Sequence, residues 1–191
     1  MTDPAVVELR PEHCEALVRF FADLPEGDRT FIKEEVDDPA VVQSWAAGTD
    51  AGSRRWLVLA DNDPGPPAGE VLGYVAVRRL PGWSDHVGEV RLVVSPAGRG
   101  TGLGRRLARH ALGQAVEAGL AKVVVEVVAE QGAALSLFTD LGFTGEALLE
   151  DHIRDRNGEL RDLLVLAHHV GRTWSGMDTL GLPEALGEEA G

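Results

Sequence analysis

The chain has 191 residues, 44% of them hydrophobic, with a formal charge of -13 and a single cysteine, Cys14. That length fits one domain with a single core, and one cysteine excludes an internal disulfide or a zinc-type Cys/His cluster. The acidic balance argues against nucleic acid, which needs a broad basic surface, and no apolar run approaches the length that crosses a bilayer.

Along the chain, Val6 to Arg10 reads as a short strand, and Pro11-Glu12 opens a helix with Ala16, Leu17, Phe20 and Phe21 on one side. Leu24 to Asp37 has mixed polarity and reads as a loop or irregular helix, either a pocket wall or a connector. A second helix follows Asp38-Pro39 and carries Val41, Val42 and Trp45. Trp56 to Ala60 and Val71 to Arg78 are apolar runs separated by turn formers from Asp61 to Gly69, and they are expected to pair antiparallel. Val87 to Ser95 is a third run, with Leu80 to His86 leading in and Pro96 stopping it. From Leu103 the positions Leu107, Ala108, Ala111, Leu112 and Ala115 recur at helical spacing until Gly119.

Lys122 to Ala129, rich in valine, reads as a buried strand parallel to the run before the glycines, joined to it by a right-handed crossover. Ala133 to Leu141 forms a short helix with Gly142 at its C-cap. Phe143 to Glu150 and Leu160 to His169 are two further strands around the turn from Arg154 to Gly158, and 171–191 reads as a tail beyond a domain of 1–170.

Between the third strand and the long helix stands Arg99-Gly100-Thr101-Gly102-Leu103-Gly104. Glycines at a helix start leave backbone N–H groups bare, a cradle for an anion such as phosphate. From Val90 to Val116 there is no Asp or Glu, while Arg91, Arg99, Arg105, Arg106 and Arg109 are present. The helix N-terminus contributes roughly 0.3–1 kcal/mol for an anion. With a Debye length of about 8 Å, this cluster is expected to outweigh distant acids. A plain strand-to-helix turn with solvated arginines fits the same residues. A dinucleotide fold fits poorly, because the glycines at 98, 100, 102 and 104 do not give G-x-G-x-x-G and two antiparallel strands precede the turn; the P-loop lysine is missing too.

The segment from Val90 to Phe143 resembles the GNAT superfamily of N-acetyltransferases, whose acetyl-CoA signature is a strand followed by Arg/Gln-x-x-Gly-x-Gly/Ala. Arg99 to Gly104 matches it after Val93-Val94-Ser95-Pro96, and Leu137-Phe138-Thr139-Asp140-Leu141-Gly142-Phe143 matches the family's helix ending in Leu-Gly-Phe. The order of elements agrees over roughly residues 5–169. The resemblance implies an α/β (α+β) single-domain fold: a mixed, mostly antiparallel twisted sheet of six or seven strands flanked by about four helices. It implies an acetyl-CoA-dependent N-acetyltransferase acting on a small-molecule amine or a protein amino group, with no metal, no nucleic acid and no membrane partner. It further implies that amides from Gly100 through Thr101, Gly102, Leu103 and Gly104 to Arg105 bind the pyrophosphate beside Arg99. The pantetheine arm would then pair with backbone at Leu92, Val93 and Val94, and Phe138 would lie along the cofactor.

An alkyl amine must lose its proton before attacking a thioester, at a cost of about 4–5 kcal/mol at pH 7. Glu89, where histone-type members carry a glutamate, is the first candidate base, and a solvated strand end is the alternative. Glu126 interrupts Val123-Val124-Val125 and Val127-Val128, and its carboxyl is expected to be raised unless paired, as by an arginine, or facing a wet cleft. The family's tyrosine, which protonates the departing thiolate, is replaced by Phe138, and its asparagine by Gln131; water or Ser136 could serve instead. These departures keep open a CoA-binding sensor or interaction module without turnover. A longer acyl group is a third option. Trp83 and Trp45 are candidates for the acceptor wall, Asp85 and His86 for approach to the acceptor, and His168 and His169 for surface or core roles. Acceptor recognition would fall to the loops Leu24–Asp37, Leu80–His86 and Arg154–Glu159. The N-terminus lacks a signal-peptide pattern, so a cytoplasmic protein is expected, and exposed sheet edges could pair two copies as a homodimer.

Overall fold

In the computed structural model, which describes residues 5–50, 52–60 and 69–171, alternating and helical hydrophobic patterns build three layers around one sheet. The elements follow in the order β1 (Val6–Glu8), α1 (Cys14–Asp23), α2 (Glu26–Arg29), α3 (Pro39–Ala46), β2 (Ser53–Leu59), β3 (Val71–Arg79) and β4 (Val87–Val94), then α4 (Leu103–Glu117), β5 (Lys122–Val128), α5 (Gly132–Asp140), β6 (Thr144–Arg154) and β7 (Leu160–His169). Residues 61–68 of the predicted turn and 172–191 of the predicted tail lie outside the described residues.

The seven strands stand in the order β1-β2-β3-β4-β5-β7-β6. All neighbours are antiparallel except β4 and β5, which run parallel because the chain returns through α4. This agrees with the expected mixed sheet, and the helix count exceeds the expected four by α2, a single turn inside the segment read as loop or irregular helix. Pro11 to His13 is a 3-10 turn leading into α1, and Asp38 caps α3 by accepting a hydrogen bond from the Ala40 amide at 2.9 Å.

One face of the sheet buries Val58, Val75, Val90, Val123 and Val125 under α4 and α5, with Leu107 and Ala111 fully buried. Burying each Val or Leu side chain contributes roughly 1.5–3 kcal/mol. α4 lies close to β3 because Gly73 offers no side chain where Leu107 sits; a Cβ there would stand 2.7 Å from Leu107 Cδ1. The other face buries Leu57, Tyr74 and Ala76 under α1 and α3, where Phe21, Trp45 and Tyr74 pack with ring centroids 5.4–5.9 Å apart.

One break in the ladder positions the site. β4 and β5 pair only from Val87↔Lys122 to Val90↔Val125. Beyond that point Arg91–Val94 pair with β3 alone, and Glu126–Val128 with β7 alone. The two parallel strands therefore part toward their C-terminal ends, and a cleft opens between them.

Candidate active site

The cleft has a volume of about 1300 Å³ and runs from the glycine turn, along the parting strands, to the segment after α2. Its floor follows from the two-residue period of a strand. Val90, Leu92 and Val94 face α4, whereas Glu89, Arg91 and Val93 face the α1/α3 side, and on β5 Glu126 faces the same way while Val125 and Val127 enter the core.

At one end of the cleft the four glycines do different jobs. Gly98 packs against the sheet, since a Cβ would meet Val94 Cγ1 and Leu103 Cδ2 at 2.9 Å and the Leu72 carbonyl at 3.0 Å. Gly100 and Gly102 take left-handed backbone, with φ of 73° and 85°, a conformation that costs other residues roughly 1–2 kcal/mol. Gly104 has ordinary φ, and a Cβ there would touch Leu137 at 3.5 Å and Val94 at 3.7 Å, both cleft-lining side chains. Thr101 Oγ1 ties the turn by donating to the Gly98 carbonyl at 2.7 Å. Arg106 is the first residue of α4 whose amide donates within the helix register, to Gly102 at 3.1 Å. The amides from Gly100 through Arg105 donate to no protein acceptor among the described residues. Left-handed glycines and a bare first helical turn together form a concave row of donors, suited to an oxyanion.

The arginines near this row are not the isolated cationic cluster that the sequence suggests. Arg91 NH1 stands 2.5 Å from Glu34, Arg99 NH2 2.5 Å from Asp28 and Arg105 NH2 2.5 Å from Asp140. The acids missing from 90–116 are supplied in space by α2, the segment after it, and the end of α5. Arg99 and Arg105 remain about half exposed, and each guanidinium has further donors to offer an anion.

At the other end the two candidate carboxylates come together through a residue that the sequence did not single out. Lys33 Nζ lies 3.0 Å from Glu126 Oε2 and 3.4 Å from Glu89 Oε1, and Arg91 NH2 donates to the same Glu89 oxygen at 2.9 Å. Glu89 is 6% exposed and is no solvated strand end. Burial pushes its carboxyl up, but Arg91 and Lys33 more than offset this and hold it below the usual 4.5. Glu126 satisfies the exception foreseen for it, though its partner is a lysine rather than an arginine, and it faces the cleft. The segment carrying Lys33 is tied down by Arg91–Glu34 and by Arg29–Asp37 at 3.0 Å, while Arg156 from the β6–β7 turn also pairs with Asp37. Leu24–Asp37 is thus a pocket wall and no mere connector.

Other candidates separate cleanly. Trp45 lines the cleft, together with Tyr74, whose phenol is pushed up by burial. Trp83 does not line it: it sits on a one-turn projection, 97% exposed. Asp85 and His86 are exposed and outside the cleft, because they precede β4, at the end where β4 and β5 are still paired. Ser136 is likewise exposed and outside it, since the helical period of α5 turns Leu137 and Phe138 inward instead. Phe138 is buried edge-to-face against Phe143 at 5.2 Å, and Gln131 stands at the start of α5 on the cleft wall. His168 is buried beside the Gly142 carbonyl at 3.3 Å. Lys33, Glu34 and Tyr74 are the site residues that sequence reasoning missed. One signal for Lys33 existed: with Lys122 it is one of only two lysines in the sequence.

Among the described residues no cluster of three His, Cys, Asp or Glu side chains could hold a metal, and no helix is long and apolar enough to cross a membrane.

Residues 17–143 match the model of the acetyltransferase (GNAT) family. The chain is 33% identical over 128 residues to mycothiol acetyltransferase of Kocuria rhizophila, covering 65% of this chain and 39% of that protein. It is 28% identical over 128 residues to streptothricin acetyltransferase of Streptomyces lavendulae, covering 61% of this chain and 64% of that one. The chain thus spans less than two thirds of the length of either relative. Among solved structures, the fold is similar to yncA of Salmonella typhimurium, determined with its cofactor acetyl-CoA, at a TM-score of 0.75 and 19% identity over 88% of this chain and 95% of that one. It is equally similar to ribosomal-protein-alanine N-acetyltransferase of Brucella melitensis, with a TM-score of 0.74 and 20% identity over 86% and 99% of the two chains.

Proposed function

The chain belongs to the acetyltransferase (GNAT) family, and from that premise we propose that it moves an acetyl group from acetyl-CoA to a small primary amine, with a glutamate as proton acceptor. The observation that carries the reading is the row of unpaired amides from Gly100 to Arg105, set at the end of a strand whose outer edge is open. Those amides, with Arg99 and Arg105, bind the diphosphate. Exchanging Asp28 for a phosphate on Arg99 costs little, because exposed ion pairs are worth only about 0–1 kcal/mol. The open edge of Leu92, Val93 and Val94 takes the pantetheine arm as an added strand. At about 3.3 Å per residue, β4 carries the arm roughly 16 Å from Val94 to Glu89, which brings the thioester between Glu89 and Glu126. Acetyl-CoA supplies the activated acyl carbon.

The two carboxylates receive the amine as a cation, in the position of the Lys33 ammonium. Direct proton transfer from an alkyl ammonium near 10.4 to a carboxyl below 4.5 is uphill by at least about 8 kcal/mol, at 1.36 kcal/mol per unit. The bound ammonium first gives one proton to water, at a cost of about 4–5 kcal/mol at pH 7. Attack of the neutral amine on the carbonyl then acidifies the nitrogen, so the ionised Glu89 collects the second proton as the N–C bond forms, directly or through one water. The thiolate departs without a side-chain donor, since Phe138 holds no hydroxyl and Ser136 points away; a thiol near 8.5 needs little help at neutral pH. The names of the relatives, mycothiol acetyltransferase and streptothricin acetyltransferase, support a small-molecule acceptor.

Thiol release from acetyl-CoA across a panel of small amines and peptide amino groups tests the proposal. Steady release with at least one amine is expected. Tight binding with no release by any amine would instead favour the second reading, a CoA-binding module, for which the replacement of a hydroxyl-bearing residue by Phe138 speaks.

A further inference from the structure

We propose that Lys33 is an acetyl acceptor of its own active site: in the absence of an external amine, this chain acetylates Lys33 in cis. The inference rests on the acetyltransferase reading above and deepens it. Lys33 Nζ stands 3.0 Å from Glu126 and 3.4 Å from Glu89, so it already occupies the seat that an incoming ammonium needs. Its side chain is 58% exposed, free to turn within the cleft, whereas its backbone segment is fixed by Arg91–Glu34 and Arg29–Asp37. An amine tethered beside a thioester has lost its translational freedom before reaction, which is the larger part of the barrier to acyl transfer.

The sequence makes this position singular. Basic side chains here are otherwise arginines, and the second lysine, Lys122, is paired with Glu146 at 2.5 Å outside the cleft. A guanidinium holds an ion pair equally well but is no nucleophile, because it stays protonated. Lysine at 33 therefore places in the cleft a nitrogen that can become a nucleophile, which arginine there would not.

In the transfer, Lys33 Nζ bonds to the carbonyl carbon and the C–S bond breaks. The electron pair of that bond leaves on sulfur as CoA thiolate, and two protons leave the nitrogen: the ammonium gives one to water before attack, and the second passes through Glu89 or Glu126 to solvent or to the thiolate. The product is a neutral amide, so the cation between the two carboxylates is removed. Glu89 keeps Arg91 at 2.9 Å, but both carboxylates lose the ammonium that bridged them. Acetylation at Lys33 accordingly changes the seat that the external amine must enter, and an excess of acetyl-CoA over amine writes its own record on the enzyme.

The test incubates the full chain with acetyl-CoA and no amine and maps acetylated peptides over time, with the same chain in urea as the chemical control. Lys33 is expected to acquire one acetyl group about a hundredfold faster than Lys122, the low end of what a positioned base supplies. In urea the two lysines should label alike. Glu89→Gln should slow labelling at Lys33 but not at Lys122, and Lys33→Arg, which keeps the cation, should carry no acetyl in the cleft. Equal labelling of Lys33 and Lys122 in the folded chain overturns the inference. So does a Lys33 that stays unmodified with acetyl-CoA alone in a preparation that releases thiol once amines are added, and in that case the acetyltransferase reading survives. No calorimetric binding of acetyl-CoA overturns that reading itself.

Discussion

Glu89 is a carboxylate in a buried position that nonetheless stays ionised, because Arg91 and Lys33 outweigh its desolvation. Glu89→Gln keeps the shape and removes the charge. Turnover is expected to fall by about a hundredfold or more, with acetyl-CoA affinity unchanged by calorimetry; an unchanged rate would move the role to Glu126. The sign of the pH dependence follows from the lowered value. Glu89 is charged throughout the neutral range and takes a proton only below 4.5, so the acid limb of kcat/KM that it governs lies below that pH. A limb from this residue near neutrality, absent in the Gln variant, would contradict the assignment. Part of this was legible in the sequence: Glu126, on a valine-rich strand, needed a cation or a wet cleft, and Glu89 was a candidate base with a solvated strand end as its alternative. Its actual partner was not, because Lys33 is separated from it by 56 residues and lies in a segment with no period to align it. Trp83 misled for the converse reason. Apolar type predicts burial on average, and its one-turn projection carries the ring away from the molecule.

At the scale of elements, the strand–turn–helix unit is the part most fully written in the sequence. The valine run, the glycines and the helical spacing from Leu103 predict β4, the turn and α4 to within two residues. The parting of β4 from β5 was not legible, since Arg91–Val94 and Glu126–Val128 look no less pairable than the residues before them. Nor was the charge balance of the turn, whose acids arrive from Asp28, Glu34 and Asp140. The glycines separate fold from binding. Gly104→Ala puts a methyl group among Val94 and Leu137 without backbone strain, and in a helix it gains roughly 0.5–1 kcal/mol. Acetyl-CoA affinity is expected to fall about tenfold, 1.4 kcal/mol, while the thermal midpoint holds or rises. A lowered midpoint with unchanged affinity would refute that division. Gly102→Ala should lose both, because its φ of 85° penalises any side chain.

For the whole molecule, buried ionisable groups on both faces of the sheet make stability depend on pH. Burial lowers His110 and His168 from 6.5, and the cations beside Glu89 lower it from 4.5. In each case the unfolded chain takes up its proton first as pH falls, so stability is full above these values and declines through them. Urea midpoints should therefore drop in two stages, one beginning near 6.5 and one below 4.5; a flat profile across both ranges contradicts these environments. The outer strand β6 is long and largely exposed, but its ladder is interrupted between Leu149 and Ile153 and Asp151 there has a φ of 51°. Such an irregular edge is a poor template for a second copy.

The central claim is that bare amides between Gly100 and Arg105 hold the diphosphate of acetyl-CoA. Titration calorimetry with CoA and, in parallel, with pantetheine, which lacks the diphosphate, tests it most directly. Saturable one-to-one binding of CoA and none of pantetheine at the same concentration is the predicted result. No heat with CoA, or pantetheine bound equally well, would contradict it.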